Sequence, residues 1–210
     1  MRFFSSERKR LRFWVLPISG LAIAAACFWK VSQPESSQPT SDAAGNVLRQ
    51  AVPFSAHDSR KPPRLVRLAS YLGRHRILLA FFDGTQPFDR DPTLQKLADQ
   101  FDALNSQGIQ VFALSAALPQ VNRERLKTID PEKTRWLFPI LSDPTLATQR
   151  LYGRIEQTST PQEQATVQER SGLFLIDRAG RLPYRNGQPI PLAEPLKMIA
   201  ALASGSDDGL

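Results

Sequence analysis

Three stretches of this chain are apolar at nearly every position: Ile77-Leu78-Leu79-Ala80-Phe81-Phe82, Ile109-Gln110-Val111-Phe112-Ala113-Leu114 and Leu173-Phe174-Leu175-Ile176. Runs this short and this continuous predict strands buried on both faces, as in the centre of a parallel or mixed sheet. Between the first two, Asp91-Pro92 opens a helix, with Asp as N-cap and Pro in the first helical position. Leu94, Leu97, Phe101 and Leu104 then recur at helical spacing and form one stripe facing the sheet, and Gly108 ends the connection. The unit is strand, helix, parallel strand.

Further along, Phe138-Pro139-Ile140-Leu141 is a short strand-like run. Asp143-Pro144-Thr145-Leu146 repeats the Asp-Pro-Thr-Leu of Asp91 to Leu94, which predicts the same helix opening a second time. Gly153 suits the residue after that helix. The polar stretch from Glu156 to Glu169 reads as a surface loop. Arg178-Ala179-Gly180-Arg181 reads as a turn, with Leu182 to Tyr184 returning as an antiparallel partner of the preceding strand. Pro195 to Leu202 closes the domain as a helix.

A different pattern occupies the N-terminus. Phe13 to Trp29 carries no charge and is flanked by Arg12 and Lys30. As a helix it reaches about 25 Å, the short end of a membrane span. Trp14 and Trp29 fall where interfacial aromatics belong, and Pro17 sits in the first turn. Residues 1–12 form a basic tail that is expected to stay cytoplasmic, and residues 13–30 a signal anchor. Two other readings fit the same residues: a cleaved signal peptide, and a lipid on Cys27 after Ala24-Ala25-Ala26. All three place the rest of the chain across a membrane, in periplasm or thylakoid lumen. Residues 31–50 are rich in Ser, Pro and Gln and read as a flexible linker. Residues 51–203 then form the folded domain, and residues 204–210 a polar tail.

Composition changes this picture in two places. The net charge is +7, but the first twelve residues hold Arg2, Arg8, Lys9, Arg10 and Arg12 against Glu7 alone. The other basic residues are scattered without an aromatic platform, so no nucleic-acid partner is expected. Of the 210 residues only Cys27 is a cysteine, which excludes an intrachain disulfide. His57 and His75 lack metal-ligand spacing and read as exposed loop residues, so no metal site and no cofactor is expected.

The pieces and their order resemble the peroxiredoxin and redoxin (AhpC/TSA-like) family of the thioredoxin fold. Pro53-Phe54, Leu68-Ala69-Ser70-Tyr71-Leu72-Gly73, Leu141-Ser142-Asp143-Pro144 with Tyr152-Gly153, and Phe174-Leu175-Ile176-Asp177 with Gly180 carry the resemblance. It implies an α/β fold with a thioredoxin-like central mixed sheet flanked by helices, preceded here by one transmembrane helix. It also implies a thiol peroxidase or disulfide oxidoreductase, whose thiolate sits at a helix N-terminus beside an arginine. Aligned on Leu94, Leu97, Leu104 and Gly108, this chain has Arg90 at the reactive-cysteine position and Pro87 at the threonine position. Ser171 stands where the family carries its arginine, with Arg170 one residue earlier.

The expectation is therefore a redox-inactive domain with no catalytic residues, acting as a binding, scaffold or assembly module for a membrane-protein partner. Asp83, Gly84, Phe88, Asp89, Arg90 and Asp91 are the candidate binding residues, with Phe88 and Trp136 as apolar anchors. Within that loop two readings compete. The carboxylates of Asp83, Asp89 and Asp91 suit a hard cation, and Arg90 an anion. Alternatively Asp91 caps a helix, Asp83 and Gly84 make a turn, and Asp89 and Arg90 are solvated. The second is the simpler.

Overall fold

The computed structural model describes residues 46–127, 138–158 and 166–205, with backbone alone for 156–158 and 166–169. The expected anchor at residues 13–30, with Cys27, the first part of the linker and Trp136 lie outside these residues. The chain divides into units at Met1–Gln38 and Pro39–Leu210, and everything below concerns the second.

In chain order the strands are β1 (Val47–Gln50), β2 (Ser55–Asp58), β3 (Leu65–Arg67), β4 (Arg76–Phe81), β5 (Ile109–Ser115) and β6 (Ile140–Ser142). They continue with β7 (Ile155–Thr158), β8 (Thr166–Glu169), β9 (Gly172–Ile176), β10 (Arg181–Arg185) and β11 (Gln188–Pro189). The helices are α1 (Pro92–Asp99), α2 (Phe101–Ser106), α3 (Pro119–Lys127), α4 (Ala147–Leu151) and α5 (Pro195–Ser204). Six strands form the central sheet in the order β3-β2-β6-β5-β4-β9. β4 pairs in parallel with β5, and β5 with β6, while β9 and β2 run antiparallel to their neighbours.

The continuous apolar runs follow from burial on both sides. Leu78, Ala80 and Phe82 face a core shared with Leu94, Leu97, Leu104, Ile199 and Leu202 of α1, α2 and α5. Ile77, Leu79 and Phe81, one residue out of phase, face a second core with Phe112, Tyr152, Phe174, Leu182 and Tyr184. The period-2 alternation of a strand thus divides one apolar run between two layers.

Asp91 caps α1 as expected: its carboxylate accepts from the backbone N–H of Thr93 (2.9 Å) and Leu94 (3.0 Å), with Pro92 in the first turn. The helical stripe is carried by two helices rather than one, because Gln100 (φ −102°, ψ 7°) breaks the run between α1 and α2.

Five expectations are corrected. The second Asp-Pro-Thr-Leu does not repeat the first, since α4 begins only at Ala147 and Leu146 takes a left-handed φ of 60°. The stretch expected as a loop, Glu156 to Glu169, carries strand at both described ends: β7 and β8 pair antiparallel, and backbone pairing satisfies polar segments as readily as apolar ones. β10 turns back at Gly180 (φ 81°) but pairs with β1 and β11 in a separate sheet, so it is not the ladder partner of β9. That pairing puts Val47–Gln50 in a strand ahead of Ala51, where the linker was expected to run on. His57 lies on β2 rather than in a loop, its side chain exposed.

Tyr152 is fully buried, and its hydroxyl donates to the Val52 carbonyl (3.1 Å). Burial, then the nearby Tyr184 phenol, pushes its pKa well above the ordinary tyrosine value, and burial raises Tyr184 too. A folded-state pKa raised above the unfolded one means stability is complete below about pH 10 and is lost as pH rises through the folded values. The full-length protein is expected to lose thermal stability as pH climbs past about 10, and Tyr152→Phe to flatten that loss. Circular dichroism melts across alkaline pH, with phenolate absorbance recorded alongside, check this.

Candidate functional site

β4, β5 and β6 end at the same edge of the sheet, and antiparallel β9 begins there; this is where an α/β sheet presents loops to a ligand. Residues 83–91 leave β4 at this edge. Asp83 accepts from the backbone N–H (2.8 Å) and the hydroxyl (2.7 Å) of Thr85, which closes a small turn. Gly84 sits in close approach: a Cβ there would lie 3.0 Å from Ser115 Cβ and 3.2 Å from Ala117 Cβ, so those neighbours would have to give way. Pro87 is exposed and leads into a single 3₁₀ turn, Phe88–Arg90, in which the Arg90 N–H donates to the Pro87 carbonyl (3.1 Å).

The side chains of this loop separate. Phe88 is 1 % exposed and meets the Phe82 ring edge-to-face at 5.2 Å. It is a core residue, and its place as a surface anchor is corrected: an aromatic ring bordering two apolar elements is worth more inside than out. Asp89 and Arg90 are exposed. Asp91 is occupied by its two backbone donors, so the α1 N-terminus offers no open N–H at those positions to an anion beside Arg90. Among the described residues no cluster of three or more His, Cys, Asp or Glu is placed to hold a metal ion. The geometry is that of the simpler sequence reading: a turn, a cap and a solvated pair.

Ser171 is exposed at the start of β9. Its carbonyl accepts from Nη1 of Arg154 (3.4 Å), whose Nε donates to the Tyr152 carbonyl (3.2 Å). The Arg154 guanidinium stands over the Phe174 ring, 5.4 Å from its centroid. Gly172 makes room for it, since a Cβ there would fall 2.9 Å from Nη1. Burial, then the charge of Arg170, holds the Arg154 pKa below the ordinary arginine value. A guanidinium therefore does stand beside the Ser171 backbone, supplied from the residue before β7 and not from the approach to β9. Nothing in the spacing of Arg154 singled it out; the backbone pairing that brings it there (Arg170 N–H to Arg154 carbonyl, 2.8 Å) lies in a segment too polar to be recognised as strand.

A parallel β4-β5-β6 core, antiparallel β9 and helices packed on the sheet define a thioredoxin-like α/β protein of the peroxiredoxin kind. Residues 47–185 match the AhpC/TSA family, and the chain belongs to it. Among solved structures it is similar to peroxiredoxin Q of Xanthomonas campestris, with a TM-score of 0.53 and 16 % identity over 77 % of this chain and 99 % of that one. It is also similar to thioredoxin peroxidase I of Plasmodium yoelii, with a TM-score of 0.52 and 18 % identity over 77 % and 93 %. Identities this low speak to the fold. No curated protein matches the chain in sequence.

Proposed function

We propose that this protein is a membrane-anchored, redox-inactive member of its family that acts as a binding or assembly module on the translocated side of a membrane. One observation carries the reading: no cysteine follows Cys27, so the domain that belongs to a family of thiol enzymes contains no thiol. The loop supports it. Arg90, at the position where the resemblance puts the reactive cysteine, is exposed, and Phe88 beside it is sealed in the core.

The anchor rests on the apolar segment from Phe13 to Trp29 and its basic flank. Among the described residues no helix is long and apolar enough to cross a membrane, and that segment lies outside them.

The test is peroxide consumption by the full-length protein in detergent with a dithiol reductant. A rate equal to buffer, unchanged by Cys27→Ser, is expected. Turnover that disappears in Cys27→Ser would instead make the protein a thiol peroxidase working through its N-terminal segment. Carbonate washing of native membranes is expected to leave the protein in the pellet, and its release would refute the anchor.

A further inference from the structure

Arg154 is half-buried, and it is the guanidinium whose partners make least sense as a finished arrangement. It has five N–H donors. One on Nε and one on Nη1 go to the neutral carbonyls of Tyr152 and Ser171. The remaining donors take no partner among the described residues, and no carboxylate there pairs with it. The nearest charge that affects it is like its own, from Arg170, and burial adds to the cost of holding the cation. Yet the side chain is held in place by the Phe174 face below and two carbonyls at the edge, in the space left by Gly172. A fixed, partly desolvated guanidinium with an open edge, in the field of a second positive charge, suits an oxyanion.

We infer that Arg154 binds an oxyanion, a carboxylate or phosphate group, at the edge of the sheet beside the start of β9. The anion takes two parallel N–H bonds from the open guanidinium edge. Its charge offsets both the burial of Arg154 and the repulsion from Arg170. The site does not depend on the membrane or scaffold reading, and it needs no thiol.

The experiment is a titration of the full-length protein with inorganic phosphate and, separately, with acetate, each replacing chloride at constant ionic strength. Arginine Nε–H resonances are followed by NMR. A saturable shift at Arg154, absent from arginines remote from it, is expected. Arg154→Lys keeps the charge but loses the fork, and should weaken binding about tenfold. Arg154→Gln should abolish it, whereas Arg178→Gln, at an exposed turn, should leave it unchanged. Gly172→Ala pushes the guanidinium out of position and should weaken binding with secondary structure intact. Saturation by phosphate alone or by acetate alone supports the site and assigns its class. A drift shared by all arginines, or a titration identical in Arg154→Gln and Arg154→Lys to that of the parent, would overturn the inference. Arg154→Lys retains a stacking cation, so the test survives if Arg154→Gln does not fold.

Discussion

Phe174→Ala is expected to cost about 3–5 kcal/mol, the largest loss of any single side chain considered, read as a lower denaturant midpoint with an unchanged slope. Phe174 is fully buried on β9, opposite Leu79 of β4. Its ring meets Phe81 edge-to-face at 5.5 Å and Tyr152 at 5.2 Å, and Phe81 and Tyr152 meet each other at 5.3 Å. Removing it opens a cavity beside two rings, Phe81 on β4 and Tyr152 at the end of α4, that strand and helix have already fixed in place, so the walls cannot close on it. It also removes the surface on which Arg154 stands. Phe174→Leu refills most of the volume and should recover more than half of the loss; failure to do so would mean that ring geometry, not volume, decides.

Asp143→Ala is expected to cost about 3 kcal/mol, close to the loss at Phe174 although no apolar surface is involved. The Asp143 side chain is buried. One carboxylate oxygen accepts from the Ala147 N–H (3.1 Å) and the Thr145 hydroxyl (3.2 Å), the other from the Gln149 N–H (3.0 Å). Alanine leaves two backbone donors of α4 without acceptors, and the Gln149 end is buried. The carboxylate also steadies a turn in which Leu146 holds a left-handed backbone, an arrangement costing about 1 kcal/mol for a non-glycine residue. Asp143→Asn keeps one acceptor oxygen and should lose about half as much. Thermal or denaturant melts of the two variants side by side separate lost acceptors from lost charge.

These two residues also show what was legible in the chain beforehand. Phe174 was, because an unbroken apolar run has few destinations other than a strand covered on both faces. Asp143 was legible as a capping residue but not in its geometry. The letters Asp-Pro-Thr-Leu are compatible with a carboxylate that caps the next residue's helix, as at Asp91, and with one that reaches four to six residues ahead. Only the strand leading in decides: Asp143 follows β6 directly and its N–H is already committed to the Ser115 carbonyl (2.8 Å). The β7–β8 hairpin was illegible for the reason that hid Arg154. Its pairing is made by backbone groups, which every residue possesses, and its composition gives no alternation to read. Phe88 was misread because a single aromatic residue in a polar loop does not say which way it points; the Phe82 ring, six residues earlier, just past β4 and on the same helical side of the sheet, decides it.

The absence of thiols reaches beyond catalysis. From Phe28 to Leu210 the only sulfur is the thioether of Met198, packed against the helical side of the core. The domain's folding equilibrium therefore has no term in glutathione or in any disulfide couple. It matures without an oxidoreductase to set its bridges. It is the same protein in a reducing compartment as in an oxidising one, and peroxide stress cannot drive it down the sulfenic-to-sulfonic ladder.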